Sequence, residues 1–173
     1  VNCAGPWAAE LSKQWGHPNT ELFHPSLALN VHLDIPAPCN SALAVPATEN
    51  GGGIFVIRPW HGGTLAGTFH AVWTSHPPHR DGPEVGAFLH ALNRALPSLA
   101  INPSHVRGLL WGQLPVTQNG GTHLRVRDLI YDHGQTHNSH GLYSVSGVKF
   151  TTARGIAERM LQTICMSQTK SLP

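Results

Sequence analysis

The chain has 173 residues and a mass of 18.6 kDa, the size of one ordinary domain or of pieces of two small ones. Apolar residues make up 40% and charged residues 12%, so the chain can build a core and is not a disordered polyelectrolyte. No apolar run approaches the roughly 20 residues that a membrane-spanning helix needs. The net charge of +2 is too small to indicate a nucleic-acid-binding surface.

The cysteines and the first residues indicate a reducing compartment and a longer parent protein. Cys3, Cys39 and Cys165 form an odd and sparse set, which disfavours a secreted disulfide scaffold. The chain opens with an apolar stretch that enters Gly5-Pro6 without an initiator methionine or a signal peptide. Because this is typical of a buried strand leading into a helix, we expect the sequence to begin inside a protein.

Hydrophobic patterning predicts a loop-rich fold that contains both strands and helices. Predicted strands span residues 27–33, 54–60, 64–69, 109–116, 125–131 and 142–146. Gly51-Gly52-Gly53 predicts a hairpin turn before the second of these strands. Helices are predicted from Pro6 to about Trp15 and from about Ala153 to Cys165, with a frayed tail after Met166.

The clearest predicted helix is Asp81–Leu96. Asp81 is a candidate N-cap, Pro83 and Glu84 suit the first turn, and Pro97 ends the helix. Apolar residues recur on one helical face at Val85, Phe88, Leu89, Leu92 and Leu96. We therefore expect Phe88 and Leu92 to be buried.

Two junctions where a strand passes through a glycine into a helix are candidate binding sites, at residues 2–7 and 146–154. A helix N-terminus leaves its first N–H groups unpaired and carries roughly half a positive charge, so it can hold an anionic or carbonyl oxygen. In the second junction Gly147 permits close approach, Lys149 adds a full charge, and Thr151 or Thr152 can cap the helix. An ordinary capped junction is the alternative, and the spacing does not fit a P-loop.

Thirteen histidines raise the question of a metal site. His133, His137 and His140 are closely spaced, and His76 and His79 flank two prolines, as zinc ligands can be. Both clusters fall in predicted polar turns, whereas a metal site needs a fixed geometry. We therefore interpret them as exposed loop histidines and predict no metal site, with a His-rich metal module as the alternative.

A serine or cysteine nucleophile has less support. The sequence contains no G-x-S-x-G elbow, and no pair of carboxylates stands out. Cys3 lies at the end of an apolar stretch, where a thiol is expected to pack as a small hydrophobe.

Four sequence blocks, in a fixed order, carry a family resemblance. They are V-N-C-A-G-P-W-A at residues 1–8, F-V-I-R-P-W with L-A-G-T at 55–68, R-D at 127–128 followed by Ile130 and Asp132, and G-L-Y-S-V-S-G-V-K-F-T-T-A-R at 141–154. Together they resemble the FAD-dependent glycerol-3-phosphate dehydrogenases of the D-amino-acid-oxidase-like flavoprotein superfamily. The last block, similar to the family's G-L-L-S-V-x-G-G-K-L-T-T-Y-R, is the most specific. The resemblance spans residues 1 to about 164.

The resemblance implies an α/β (α+β) fold, in which a substrate-binding sheet-and-helix domain joins the returning C-terminal part of an FAD domain. Residues 1–20 would return from the FAD-binding domain, 21–140 would form the substrate-binding region, 141–166 would contact FAD, and 167–173 would be a tail. The family's dinucleotide-binding unit carries G-x-G-x-x-G, which does not occur here. We therefore expect that unit to be missing from this sequence and to precede residue 1.

The implied activity is hydride transfer from a small anionic polyol or acid to FAD, with quinone or another electron acceptor as a further partner. The implied location is the cytoplasm or the inner face of the membrane, as a peripheral protein. One alternative is an amino-acid or hydroxy-acid oxidase or dehydrogenase of the same superfamily. Another is a non-catalytic binding module, should the chain be complete as given.

The resemblance also implies roles for individual residues. Lys149 and Arg127 are the candidate catalytic residues, and Arg127 and Arg58 are candidates for binding the substrate's anionic end. The residues expected to contact FAD are Ala4, Gly5, Pro6, Trp7, Gly147, Val148, Lys149, Thr151 and Thr152.

Three departures from the family pattern limit the inference about substrate. Leu114 stands where a substrate-binding arginine is expected, Pro25-Ser26-Leu27 stands where the family often has G-S-H, and Val148 replaces the second glycine of G-G-K. The lost arginine removes a bidentate phosphate partner whose geometry a lysine cannot mimic. The cofactor therefore carries over from the resemblance, and the exact substrate does not.

Overall fold

The computed structural model describes residues 1–47, 53–137 and 139–169, so the predicted turn at Gly51-Gly52 lies outside the described residues. The helices are α1 (Ala8–Gln14), α2 (Pro83–Ala95), α3 (His133–His137) and α4 (Ala153–Thr169). The strands are β1 (Pro25–Leu33), β2 (Leu43–Pro46), β3 (Ile54–Trp60), β4 (Gly63–Val72), β5 (Val106–Pro115), β6 (Leu129–Asp132) and β7 (Tyr143–Ser146). The chain divides into two compact units: unit 1 comprises Val1–Ser26 and Leu114–Pro173, and unit 2 comprises Leu27–Gln113.

Unit 2 is built on a five-stranded sheet with the strand order β2-β3-β4-β1-β5. Strands β2 and β3, and likewise β3 and β4, pair in antiparallel fashion. Apolar side chains of the strands and of α2 form one hydrophobic core. In this core the centre of the Phe88 ring lies 5.4 Å from that of Phe55 and 5.1 Å from that of Phe69. The strand side chains that do not join this core form a second face, and the alternation of β4 shifts between Ala66 and Phe69, which both pack in the core. We call this second face the outer face; it carries Asn30, Ile54, Val56, Arg58, Leu65, Thr68, His70 and Leu110.

Unit 1 is organised around β7. This strand pairs with β6 in antiparallel register, Leu129 opposite Ser146 and Asp132 opposite Tyr143. On its other side the first residues of the chain form a parallel bridge between Asn2 and Ser144. Helix α4 follows β7 after a 3-10 turn at Phe150–Thr152 and buries Ile156 and Met160.

Helix α2 confirms the predicted helix, and Phe88 and Leu92 are both fully buried. The predicted N-cap is wrong, because Gly82 occupies that position and no side chain caps the helix. The helix ends at Ala95, one residue before the predicted end.

Several predicted boundaries differ from the structure. The predicted strand over 125–131 begins only at Leu129, because Arg125 N–H donates to the carbonyl of Pro115 and Val126 is 82% exposed. Strand β4 runs on to Val72, and β2 was not predicted. The His-rich segment expected to be a turn begins with α3, and α4 continues to Thr169 rather than ending at Cys165.

No helix in the described ranges combines the length and the hydrophobicity that crossing a membrane requires.

Candidate functional site

The two glycine junctions predicted from the sequence lie side by side in unit 1. Asn2 N–H donates to the carbonyl of Tyr143 at 2.7 Å, and Val145 N–H donates to the carbonyl of Asn2 at 2.9 Å. The Asn2 side chain is buried and donates through Nδ2 to the carbonyl of Ala8, 2.9 Å away. Asn2 therefore ties the first strand end both to β7 and to the start of α1.

A groove of about 670 Å³ opens where these junctions meet α4. We call it the junction groove. Its walls are mostly apolar, and Lys149 is the one lysine or arginine among the described residues that line it. The lining residues are Val1, Cys3, Gly5, Val145, Gly147, Val148, Lys149, Phe150, Ala153, Ile156, Ala157, Met160, Leu161 and Ile164. The structure thus brings four predicted FAD contacts together: Gly5, Gly147, Val148 and Lys149.

Gly5 has the backbone conformation that favours glycine, with φ at +58°, and open space where a Cβ would stand. It begins the 3-10 turn Gly5–Trp7, which holds Pro6 in its first positions and precedes α1. The predicted contacts Ala4, Pro6 and Trp7 belong to this segment but do not line the groove. Trp7 is 68% exposed.

Two local predictions about the junctions are wrong. Neither Thr151 nor Thr152 caps the helix: the Thr152 hydroxyl donates to the carbonyl of Lys149 at 2.8 Å, and Lys149 itself occupies the N-cap position of the 3-10 turn. Cys3 does not pack as a buried hydrophobe, because it is exposed and lines the groove.

The two predicted catalytic residues occupy different kinds of position. Lys149 is exposed at the rim of the junction groove, whereas Arg127 is exposed in a bend that precedes β6. No hydrogen bond or ion pair between them occurs among the described residues. The neighbouring Asp128 accepts from Arg159 Nη2 at 2.6 Å, which links this bend to α4.

Arg58, the other candidate for the substrate anion, lies on the outer face of unit 2. Its guanidinium carbon lies 4.3 Å from the centre of the Trp60 ring, a cation–π contact. The contact holds the charge at the Trp60 end of β3.

The histidine clusters differ from the prediction at one position. His133 is fully buried, and its Nε2 lies 2.8 Å from Ser144 Oγ, so it is not an exposed loop histidine. His76, His79 and His140 are exposed as expected, and the side chain of His137 is outside the described residues. Within the described ranges, no group of three or more histidine, cysteine or acidic side chains is arranged to hold a metal ion.

A hydrogen bond joins the two segments that carry the departures at Pro25-Ser26-Leu27 and at Leu114. Ser26 Oγ donates to the carbonyl of Leu114 at 3.1 Å, and the Ser26 side chain is fully buried. Leu27, where the family often has histidine, is buried in the hydrophobic core. The loss of the expected arginine and of the expected histidine therefore affects the same pair of strands, β1 and β5.

The outer face carries a polar cluster that the sequence patterns did not indicate, formed by Asn30, Thr68 and His70. They line a groove of about 610 Å³, and Thr68 Oγ1 donates to Asn30 Oδ1 at 3.2 Å. The available signal was the alternation of apolar Phe69 and Ala71 with His70, which continues β4 past its predicted end.

Comparison with known proteins identifies the family. Residues 1–163 match the family model described as "FAD dependent oxidoreductase". The chain belongs to the FAD-dependent oxidoreductase family.

A curated protein and a solved structure show which members of the family the chain is similar to. The chain is 30% identical over 162 residues to a protein of Arabidopsis thaliana named "Glycerol-3-phosphate dehydrogenase SDP6, mitochondrial", a match that covers 91% of this chain and 25% of that protein. The X-ray structure of a glycerol-3-phosphate dehydrogenase from Bacillus halodurans, complexed with FAD, matches with a TM-score of 0.66 and 23% identity. That match covers 100% of this chain and 33% of the other, so it bears on the fold. This oxidoreductase chain spans about a quarter to a third of the proteins it resembles.

The junction groove has the chemistry to receive part of a flavin. Its apolar walls suit an aromatic ring system, Gly5 leaves open the space that a side chain would fill, and Lys149 places a cation at the rim. The G-x-G-x-x-G motif, which binds the pyrophosphate of FAD in dinucleotide-binding folds, does not occur in this sequence. Gly5, Gly147 and Lys149 are therefore the residues of the groove that could hold part of a flavin.

Proposed function

We propose that this chain is part of an FAD-dependent dehydrogenase that oxidises an alcohol carbon of a small anionic substrate of the glycerol-3-phosphate class. The observation that carries the proposal is the junction groove, where Gly5, Gly147 and Lys149 meet. The names of the Arabidopsis and Bacillus proteins support the substrate class.

In this proposal the backbone at Gly5 and Gly147 approaches the cofactor closely, because neither residue carries a side chain. FAD, when bound, supplies the redox chemistry by accepting the hydride from the substrate carbon. Lys149 stabilises the negative charge that develops on reduction, and the apolar wall formed by Ile156 and Met160 strengthens this effect by excluding water.

Arg127 is proposed to hold the anionic end of the substrate. It is exposed, and no described residue forms a hydrogen bond or ion pair with its guanidinium group, so all five of its donors remain available. A planar guanidinium matches the oxygens of a phosphate or a carboxylate in a bidentate manner.

Oxidation of an amino acid or hydroxy acid is the second candidate. Leu114 favours this candidate, because it stands where the family has a substrate-binding arginine. A single carboxylate needs fewer positively charged donors than a dianionic phosphate, so it tolerates the loss of that arginine better. Both candidates use the same junction groove and the same cofactor.

Flavin retention tests the cofactor part of the proposal. We expect the full-length product of the gene that encodes this sequence to purify with stoichiometric FAD. We expect the 173-residue chain alone to retain none, because it contains no pyrophosphate-binding fingerprint. The readouts are the visible flavin absorbance and the FAD released by denaturation. A full-length protein without flavin would refute the proposal. Flavin bound to the 173-residue chain would show that FAD binding does not require the G-x-G-x-x-G motif.

Location and electron acceptor stay predictions. The Arabidopsis relative is named as mitochondrial. We retain a cytoplasmic or peripheral membrane location for this protein, and quinone as a candidate acceptor, because the resemblance of the sequence blocks implies both. Fractionation of cells that express the full-length protein would test the location.

A further inference from the structure

The outer face of unit 2 carries a groove that the proposed roles do not use. Ile54, Val56, Leu65 and Leu110 supply its apolar walls, and the polar side chains of Asn30, Thr68 and His70 line it as well. An apolar groove with a few convergent polar groups is the usual composition of a small-molecule site. The polar groups therefore decide which ligand the groove can take.

Asn30 is held in one position in this groove. Its carboxamide lies directly over Gly67, where any Cβ would overlap Oδ1, and Oδ1 accepts the hydroxyl of Thr68. Among the residues that the structure describes, none accepts a hydrogen bond from the Asn30 amide nitrogen. A fixed donor is thus left for a ligand.

His70 offers a complementary acceptor. Its Nδ1 is enclosed and has no hydrogen-bond partner within the described ranges, whereas Nε2, also without a partner there, is not enclosed. Burial lowers the pKa of His70 below its usual value of 6.5, so the imidazole is neutral at pH 7. A neutral imidazole has one nitrogen that accepts a hydrogen bond.

Arg58 is the one lysine or arginine among the described residues that line this groove. It pairs with Leu65 on β4, two positions before Gly67 and five positions before His70, and the second spacing corresponds to about 16 Å along the strand. Its guanidinium also stacks on Trp60, at the end of β3 away from Ile54. The contact with Trp60 therefore draws the charge towards the Gly63 end of β4, away from His70, and the neutral His70 end of the cluster suits an uncharged hydroxyl group rather than an anion.

We propose that Asn30, Thr68 and His70 form a hydroxyl-binding subsite for a small alcohol or polyol. The hydroxyl donates to His70 Nε2 and accepts from Asn30 Nδ2, while Thr68 keeps the carboxamide in position. That the ligand is the alcohol end of the oxidised substrate rests on the proposed function; the binding of a hydroxyl group does not.

Imidazole NMR of the chain with ¹⁵N-labelled histidine tests the subsite directly. The probes are glycerol, glycerol 3-phosphate and inorganic phosphate, each titrated to saturation or to its solubility limit. We expect both alcohols to shift the His70 Nε2 resonance in a saturable manner and inorganic phosphate to leave it unchanged. A hydroxyl hydrogen bond to the neutral ring should also lower the measured pKa of His70 further, whereas a bound anion would raise it.

Variants separate the subsite from a general effect on the fold. We expect Asn30→Leu to weaken glycerol binding by about tenfold, the usual effect of losing one hydrogen bond. His70→Phe should weaken it to a similar extent, as measured on the uniformly ¹⁵N-labelled chain from the backbone amide shifts of Thr68 and Leu110, which line the groove. His90→Phe is the matched control, because His90 is exposed on α2, and it should leave binding unchanged. The spectrum of each variant reports whether the sheet is intact.

Two results would overturn the inference: an unmoved His70 resonance with both alcohols, or the same shift produced by inorganic phosphate alone. These outcomes differ from failure of the proposed function. A full-length protein that oxidises glycerol 3-phosphate while His70 binds no alcohol would refute only the subsite. Alcohol binding at His70 in a protein that retains no flavin would refute only the proposed function.

Discussion

His133 Nε2 and Ser144 Oγ lie 2.8 Å apart, and both side chains are fully buried in unit 1. The bond joins the first residue of α3 to β7, the strand that also pairs with Asn2 at the junction groove. The rings of Tyr131 and His17 flank His133 at 4.8 and 5.8 Å. This buried pair therefore fixes the segment on which the groove is built.

Ser144→Ala is expected to destabilise the chain by about 1–3 kcal/mol, because it leaves a buried imidazole nitrogen without its partner. Denaturant unfolding followed by circular dichroism measures the change. Thr122→Ala is the control: Thr122 is exposed, so its removal should change the free energy of unfolding by less than about 0.5 kcal/mol. Equal effects of the two substitutions would show that the pair contributes nothing.

Phe88→Ala should cost about 3–5 kcal/mol of stability, since it leaves a cavity between α2 and the sheet. Phe150→Ala makes the same chemical change at a site that is 96% exposed, so it should be nearly neutral in the isolated chain. Urea denaturation midpoints measure both. An unchanged midpoint for Phe88→Ala would contradict the core described for unit 2.

The lowered pKa of His70 predicts a pH dependence of stability with a definite sign. The folded state binds the proton less tightly than the unfolded state, whose pKa is near 6.5. The free energy of unfolding should therefore be greatest above that value and decrease as the pH falls through it towards the lower folded pKa. His70→Phe should remove this part of the dependence, whereas the exposed-site variant His90→Phe should retain it. Identical profiles for wild type and His70→Phe would exclude burial as the cause.

Lys149→Ala and Arg127→Ala should impair the full-length enzyme in different ways. Lys149→Ala should chiefly lower kcat and make the flavin potential more negative, because it removes a charge beside the reduced ring. Arg127→Ala should mainly raise KM, with a loss of about 2–4 kcal/mol in kcat/KM. Lys13→Ala, an exposed lysine at the end of α1, is the control. Wild-type kcat/KM in both variants would discard the assignment of these residues.

Patterns that depend on near neighbours were predictable from the sequence. The apolar periodicity of α2 depends on residues three and four positions apart, and it identified Phe88 and Leu92 as buried. The two junctions were found because glycine, proline and lysine mark them locally. Their meeting through Asn2 and β7 involves residues more than 140 positions apart, and only the resemblance to a known family pointed to it.

Features that depend on distant partners were not predictable. His133 is polar and stands in a polar segment, but it is buried where its side chain meets that of Ser144, a residue eleven positions further along the chain. Asn30 and Thr68 look like ordinary outward strand residues until β1 and β4 lie side by side. The strand predicted from Arg125 failed because Arg125 N–H bonds to Pro115, a partner that periodicity cannot reveal.

Anaerobic bleaching of the bound flavin tests the central claim most directly. The full-length protein, purified with its flavin, is mixed without oxygen with glycerol 3-phosphate, glycerol, a D-amino acid or a 2-hydroxy acid, and the visible absorbance is followed. We predict rapid bleaching by glycerol 3-phosphate and much slower bleaching by glycerol, because Arg127 holds the anionic end. Bleaching by the amino or hydroxy acid alone would favour the second candidate function. A flavin that no alcohol or acid reduces would contradict the account.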